Sequence, residues 1–146
     1  MINRKFIYLA LVAIVGMAFS SCSMLDKDTS YSLSDLQGKW LEDGTEHYVC
    51  FTTESAADLK SGYLWGYEWG GFGDDVTESD VLADKYGNGW FMYQLSKNEL
   101  LEINKMNQGW GDIPQVYTVT LLTSTKMTYN KKGYPKEKQN FTKQLK

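Results

Sequence analysis

From Leu36 onward the apolar residues recur at every second position in short runs, and no stretch sustains the i, i+3, i+4, i+7 spacing of an amphipathic helix. Val49 and Phe51, then Phe91, Tyr93 and Leu95, then Leu101 and Ile103, then Tyr117, Val119 and Leu121, and finally Met127 and Tyr129 each keep one parity, which predicts a covered sheet face. Their neighbours Lys39, Glu102, Thr118, Thr120, Thr128 and Asn130 are polar or small and are expected to meet water. One covered face and one wet face is the pattern of antiparallel sheet. The runs place strands near 38–43, 46–53, 61–70, 89–95, 99–106, 115–122, 126–131 and 138–145, separated by turns such as Asp43-Gly44-Thr45 and Lys132-Gly133-Tyr134-Pro135. Short strands joined by short turns predict an all-β fold, an eight-stranded antiparallel up-and-down barrel, with a β-sandwich as the other architecture. The interior of such a barrel holds side chains or one small ligand.

The N-terminal part reads differently. Arg4 and Lys5 precede an uncharged run of 14 residues, Phe6 to Phe19, and then Ser20, Ser21 and Cys22. A charged start, a short apolar run and a small-residue junction are the parts of a secretory signal, and the run is short of the roughly 18 residues expected of a spanning helix. Phe19-Ser20-Ser21-Cys22 resembles the lipobox of bacterial lipoproteins, with Phe19 where Leu is commoner. That resemblance implies that Cys22 is acylated and becomes the mature N-terminus, so that the domain is anchored to a membrane through lipid and does not span it. The expected organisation is a signal peptide over 1–21, a polar tether over 22–34 and one barrel domain over 35–146. Within the tether, Asp26-Lys27-Asp28 resembles the acidic export signals of some Bacteroidetes lipoproteins.

Leu36-Gln37-Gly38-Lys39-Trp40 resembles the Gly-x-Trp opening of the lipocalins. The later pairs of strands, Tyr93-Gln-Leu with Leu101-Glu-Ile and Tyr117-Thr-Val-Thr-Leu with Met127-Thr-Tyr, are similar to those of bacterial, Bacteroidetes-type lipocalin-like lipoproteins. This resemblance spans about 36–145. It implies a barrel of the calycin type, a structural role for Gly38 and Trp40, and a late-strand cation, here Lys143, packed over the Trp40 indole as a cation–π pair. It places the protein at the outer membrane, facing the periplasm or the cell surface.

Charge narrows the partners. Arg4 is the only arginine, so residues 22–146 carry 13 Lys against 18 Asp plus Glu, which disfavours nucleic acid and removes the planar fork that grips phosphate. The charge is segregated: 22–125 holds 6 Lys and 17 acids, whereas 126–146 holds 7 Lys and 1 acid. Charged outer strand faces explain this, and a basic end that binds anionic lipid or an acidic partner is the alternative. With Cys22 acylated, Cys50 has no disulfide partner.

Little in the chain points to catalysis, and no enzyme activity, cofactor or metal is expected. His47 is the only histidine, and Cys50, three positions on in a strand, points to the opposite face. Asp74, Asp75, Glu78, Asp80 and Asp84 offer hard oxygen ligands in one segment, without the spacing of a calcium loop. The stretch with most to say is Ser61 to Trp90. Tyr63, Trp65, Tyr67 and Trp69 share one side of a strand, and Trp90 follows a long acidic segment. Such a ladder either fills the core or lines a site. The leading expectation is a lipid-anchored lipocalin-like protein that binds a small apolar ligand in a barrel mouth walled by these five aromatics. The other is an interaction module with a filled barrel, acting as an inhibitor, immunity or assembly accessory protein.

Overall fold

The computed structural model describes residues 31–71, 75–107 and 113–145. A one-turn helix, α1 (Leu33–Leu36), leads into eight strands: β1 (Gly38–Glu42), β2 (Tyr48–Ser55), β3 (Leu64–Trp69), β4 (Trp90–Leu95), β5 (Leu100–Lys105), β6 (Pro114–Leu122), β7 (Lys126–Lys131) and β8 (Lys138–Gln144). A second short helix, α2 (Glu78–Ala83), lies between β3 and β4. Each strand pairs antiparallel with the next and β8 returns to β1, giving a closed up-and-down barrel of the lipocalin-like kind. The expected signal peptide, Cys22 and most of the tether lie outside the described residues. Tyr31 to Ser34, assigned to the tether, already belong to the domain: Tyr31 packs against the barrel core and its hydroxyl donates to the Thr120 carbonyl at 2.9 Å.

Register fixes the interior. Trp40 lies opposite Val49 and Lys143, Gly66 opposite Phe51 and Phe91, and Tyr93 opposite Leu64 and Ile103. Trp40, Val49, Phe51, Phe91, Tyr93 and Ile103 join Leu101, Val119, Met127, Tyr129 and Phe141 in one buried cluster inside the bore. Rings interlock edge to face at Phe51–Tyr93, 5.0 Å between centroids, and Tyr129 sits 4.7 Å from Tyr117 and 4.9 Å from Phe141.

One inward assignment fails. A register shift between Val119 and Leu121 leaves Thr120 as an extra residue, so the parity reverses: Leu121 is 43 % exposed while Leu122, opposite Met127, is 6 % exposed. A bulge adds one residue to a strand and flips everything beyond it.

At one end the barrel is closed by α1 and Trp40. The Trp40 indole N–H donates to the Leu36 carbonyl at 2.7 Å, and Lys143 Nζ lies 5.0 Å from the indole centroid. The same ammonium donates to the Asp35 and Gln37 carbonyls at 2.7 and 3.0 Å, satisfying groups at the C-terminal end of α1 that have no partner within the helix. Gly38 has a φ of +131° and runs close beneath this lysine.

Gly66 shows how little room the bore has. A Cβ there would overlap the Phe91 ring and approach the Cys50 carbonyl oxygen to 2.8 Å. Gly66→Ala should therefore destabilise the domain by about 1–3 kcal/mol in thermal or denaturant unfolding, the range for an overpacked core, and Phe91→Leu in the same chain should recover part of that loss. Equal stability of Gly66→Ala and wild type would show that the interior has slack.

Candidate functional site

The aromatic ladder is on the outside of the barrel. Leu64, Gly66 and Glu68 take the inward parity of β3, so Trp65, Tyr67 and Trp69 project outward, beside Tyr63 just before the strand and beside Trp90 and Met92 of β4. The expected barrel-mouth wall is thus corrected: the bore opposite Gly66 is already occupied by Phe51 and Phe91, and rings of this size fit only on the other face. There they build a second core with Ala56, Val81 and Met106, in which Trp65 and Trp90 are nearly fully buried.

What covers them is α2, in the segment read as an acidic loop. Thr77 accepts from the Asp80 backbone N–H at 3.3 Å, and the Asp80 carboxylate accepts from the Thr77 N–H at 2.9 Å, a capping box that starts the helix. Val81 then points into the ladder, and its carbonyl accepts the Trp90 indole N–H at 2.9 Å. Trp65 stacks on Tyr86, with 4.2 Å between centroids, and Tyr48 stacks on Trp69 at 4.9 Å with the planes 4° apart. Polar latches surround the apolar patch. Lys39 pairs with Glu78 at 2.8 Å, Tyr67 donates to the same carboxylate at 3.0 Å, and Tyr86 donates to Glu54. Tyr63 donates to Glu102 at 2.6 Å, and burial, reinforced by that carboxylate, pushes its phenol up to about 12. The Tyr67 phenol is raised by burial and by the neighbouring Cys50 and Glu78, and burial raises the Cys50 thiol as well.

At the end of the barrel opposite α1, the inward parity turns polar. Glu42 of β1, Glu68 of β3, Lys105 of β5 and Gln139 of β8 each extend the inward face of their strand, and His47 joins them from the start of β2. His47 Nδ1 lies 3.0 Å from Glu42 Oε1, and its Nε2 lies 3.9 Å from Glu68 Oε2. Lys105 donates to Glu68 at 3.1 Å, and Gln139 donates to Glu42 at 3.2 Å. Burial works against a charge on His47, but Glu68 and Glu42 outweigh it and raise its pKa. Burial likewise pushes the Glu68 carboxyl up, and the adjacent His47 and Lys105 overcome it and hold the carboxyl below its ordinary range.

Two clefts lie beside Trp69 on the outer wall. One, of about 360 Å³, is lined by Glu68, Asn88 and Asn107 as well as Trp69 and Val81; the other, of about 370 Å³, by Glu46, Asp75 and Thr77 as well as Tyr48 and Trp69. Each joins an aromatic face to hydrogen-bonding groups. In comparisons with known proteins, the chain matches no family model, no curated protein and no solved structure.

Of the acidic residues offering hard oxygen ligands, Glu78, Asp80 and Asp84 have other partners. Glu78 holds Lys39 and Tyr67, Asp80 caps α2, and Asp84 accepts the Asn88 N–H at 3.3 Å, while Asp74 lies outside the described residues. Gly38, Trp40 and Lys143 meet at the closed end, and Trp90 joins the ladder. The residues that sequence reasoning passed over are Glu42, Glu68, Lys105 and Gln139, which meet His47, considered from the sequence only as a catalytic candidate. Their signal was a charged or amide side chain that continues the apolar parity of its strand, which is costly unless paired.

The folded pKa of His47 lies above its ordinary value of 6.5. The ring therefore stabilises the fold fully below that value, and the contribution is lost as pH rises through the folded pKa. His47→Gln should lower the thermal midpoint most at acidic pH, with the difference from wild type shrinking as pH rises, and a histidine NMR titration should give a midpoint above 6.5. A pH-independent difference would mean that the two carboxylates do not hold the ring.

Proposed function

We propose that this chain is a non-enzymatic, lipid-anchored protein of the outer membrane that works through its outside surface as an interaction module. The observation that carries this reading is that both aromatic sets are spent on packing. The inward set fills the bore from Trp40 to Tyr129, and the ladder Tyr63, Trp65, Tyr67 and Trp69 with Trp90 is covered by α2. A carrier of apolar ligands keeps apolar surface uncommitted. Here the inward positions at the end opposite α1 instead carry charges paired with one another. The anchor rests on the charged start, the apolar run and the Ser-Ser-Cys22 junction.

The clefts beside Trp69 support a second reading, in which a small polar ligand docks on the outer wall. Glu46, Asp75, Asn88 and Asn107 would meet its hydroxyl or amine groups while Trp69 supplies a stacking face.

An apolar fluorescent probe separates these readings from ligand carriage inside the barrel. Titration of the folded protein with N-phenyl-1-naphthylamine should give no saturable quenching of tryptophan, and Trp65→Ala should cost roughly 3–5 kcal/mol of stability, the range for truncating a large buried aromatic. Stoichiometric, saturable probe binding by a Trp65→Ala protein of unchanged stability would restore the carrier reading. For the anchor, Cys22→Ser should move the protein from the membrane fraction to the soluble fraction of cells; retention at the membrane would show that Cys22 is not the acylated residue.

A further inference from the structure

The charge segregation along the chain becomes a shape in the fold. β7 and β8 pair as far as Asn130 opposite Lys138, and the connection between them is the end of a hairpin in which every residue from Lys131 to Lys138 is exposed. Lys131, Lys132, Lys136 and Lys138 all lie in this segment, against one acid, Glu137. Among the described residues none of these four lysines pairs with a carboxylate, whereas Lys39, Lys60, Lys85 and Lys105 elsewhere each do.

The tip is ordered by its own backbone. Lys132 N–H donates to the Val116 carbonyl at 2.9 Å, Tyr134 N–H to Lys131 at 2.9 Å, and Glu137 N–H to Tyr134 at 3.1 Å, so two turns succeed one another. At their junction Tyr134 is 53 % exposed, with Lys131 Nζ 6.0 Å from its ring centroid and Pro135 next in the chain. An exposed tyrosine in a lysine-rich tip, with one ammonium beside its ring, matches the layered chemistry of a membrane surface, where the ring sits at headgroup depth and the ammonium groups meet phosphates.

We infer that the β7–β8 hairpin tip is a contact site for anionic phospholipid headgroups. Size and surroundings favour lipid over an acidic protein. A stable protein interface buries about 800 Å² on each partner, so one centred on the tip would extend onto the neighbouring β1–β2 turn, where Asp43 and Glu46 oppose an acidic partner. A headgroup layer needs no such extension, because the exposed tyrosine and the ammonium groups of the tip supply both of its contacts. The inference rests on the hairpin and is independent of acylation at Cys22.

The test uses the full chain carrying Cys22→Ser, so that no acyl chain contributes, in co-sedimentation with two vesicle preparations. One is phosphatidylcholine alone, whose background accounts for the N-terminal apolar run; the other is phosphatidylcholine mixed with phosphatidylglycerol. Binding should require phosphatidylglycerol and fall steeply with salt. Each lysine near such a surface is worth roughly fivefold, so replacing Lys131, Lys132, Lys136 and Lys138 together by Gln should weaken binding at least about 100-fold, while replacing them together by Arg should preserve it. Tyr134→Ala should weaken vesicle binding by roughly threefold to tenfold and leave adsorption to polyglutamate unchanged. The inference is overturned if the four-Gln variant, with an unaltered thermal midpoint, binds anionic vesicles as wild type does. It is equally overturned if Tyr134→Ala has no effect on vesicles, or if the chain binds polyglutamate and not phosphatidylglycerol.

Discussion

The bore of an eight-stranded barrel is only as wide as the side chains that fill it, and the rest of the structure follows from that limit. Phe51 and Phe91 close on the axis beside β3, so the residue of β3 between them is a glycine, Gly66. Large rings on β3 are then excluded from the inside and go to the other face. Once outside, they need cover, which α2 and Tyr86 provide. The helix, the capping box at Thr77 and the ion pair from Lys39 to Glu78 are in this sense answers to a shortage of room inside the barrel.

The wall made of β2, β3 and β4 consequently has a core on each face, whereas the outer face of β6 to β8 is mostly in water, although Asn130 of β7, expected to be wet, is buried there. Inside the barrel, packing at the α1 end is apolar and interlocked; at the opposite end it gives way to Glu42, His47, Glu68 and Lys105, where titratable groups replace rings and each has a partner among the others. Buried charges contribute little net stability compared with apolar side chains of the same volume. The layer puts polar groups where apolar side chains line the rest of the bore, around a histidine whose pKa Glu68 and Glu42 raise.

Much of this was legible in the residues. The period-two runs located all eight strands to within a few residues, because one covered face per strand is a strong signal. The inward parity of β2, β4, β5 and β7 followed from Val49, Phe91, Leu101 and Met127. β6 departed at Leu121 because a bulge leaves no mark in a run such as Val-Thr-Leu-Leu. β3 was ambiguous for a different reason. Leu64-Trp-Gly-Tyr-Glu-Trp69 has aromatics on one face and Leu, Gly and Glu on the other, and only its neighbours' register says which face is inside. A small residue can mark a position where another strand fills the space, as Gly66 does for Phe91. The capping box Thr77-Glu-Ser-Asp80 was readable as a helix start, but a six-residue helix shows too little periodicity to announce itself. The His47 layer was hidden because its members come from four strands and the β1–β2 hairpin.

Closure by β8 against β1 carries a consequence for how the chain acquires its structure. Trp40 and Lys143 stand in the first and last strands of the barrel yet share one contact, so the bore has no wall on that side until β8 arrives. A chain halted before Phe141 would be an open sheet with two unpaired edges, and such edges recruit other strands. Consecutive strands can pair as hairpins, and closure of β8 on β1 is the pairing that spans the whole barrel and carries the largest loop-closure cost. A barrel that cannot close before β8 is made leaves its strands threadable until that strand emerges.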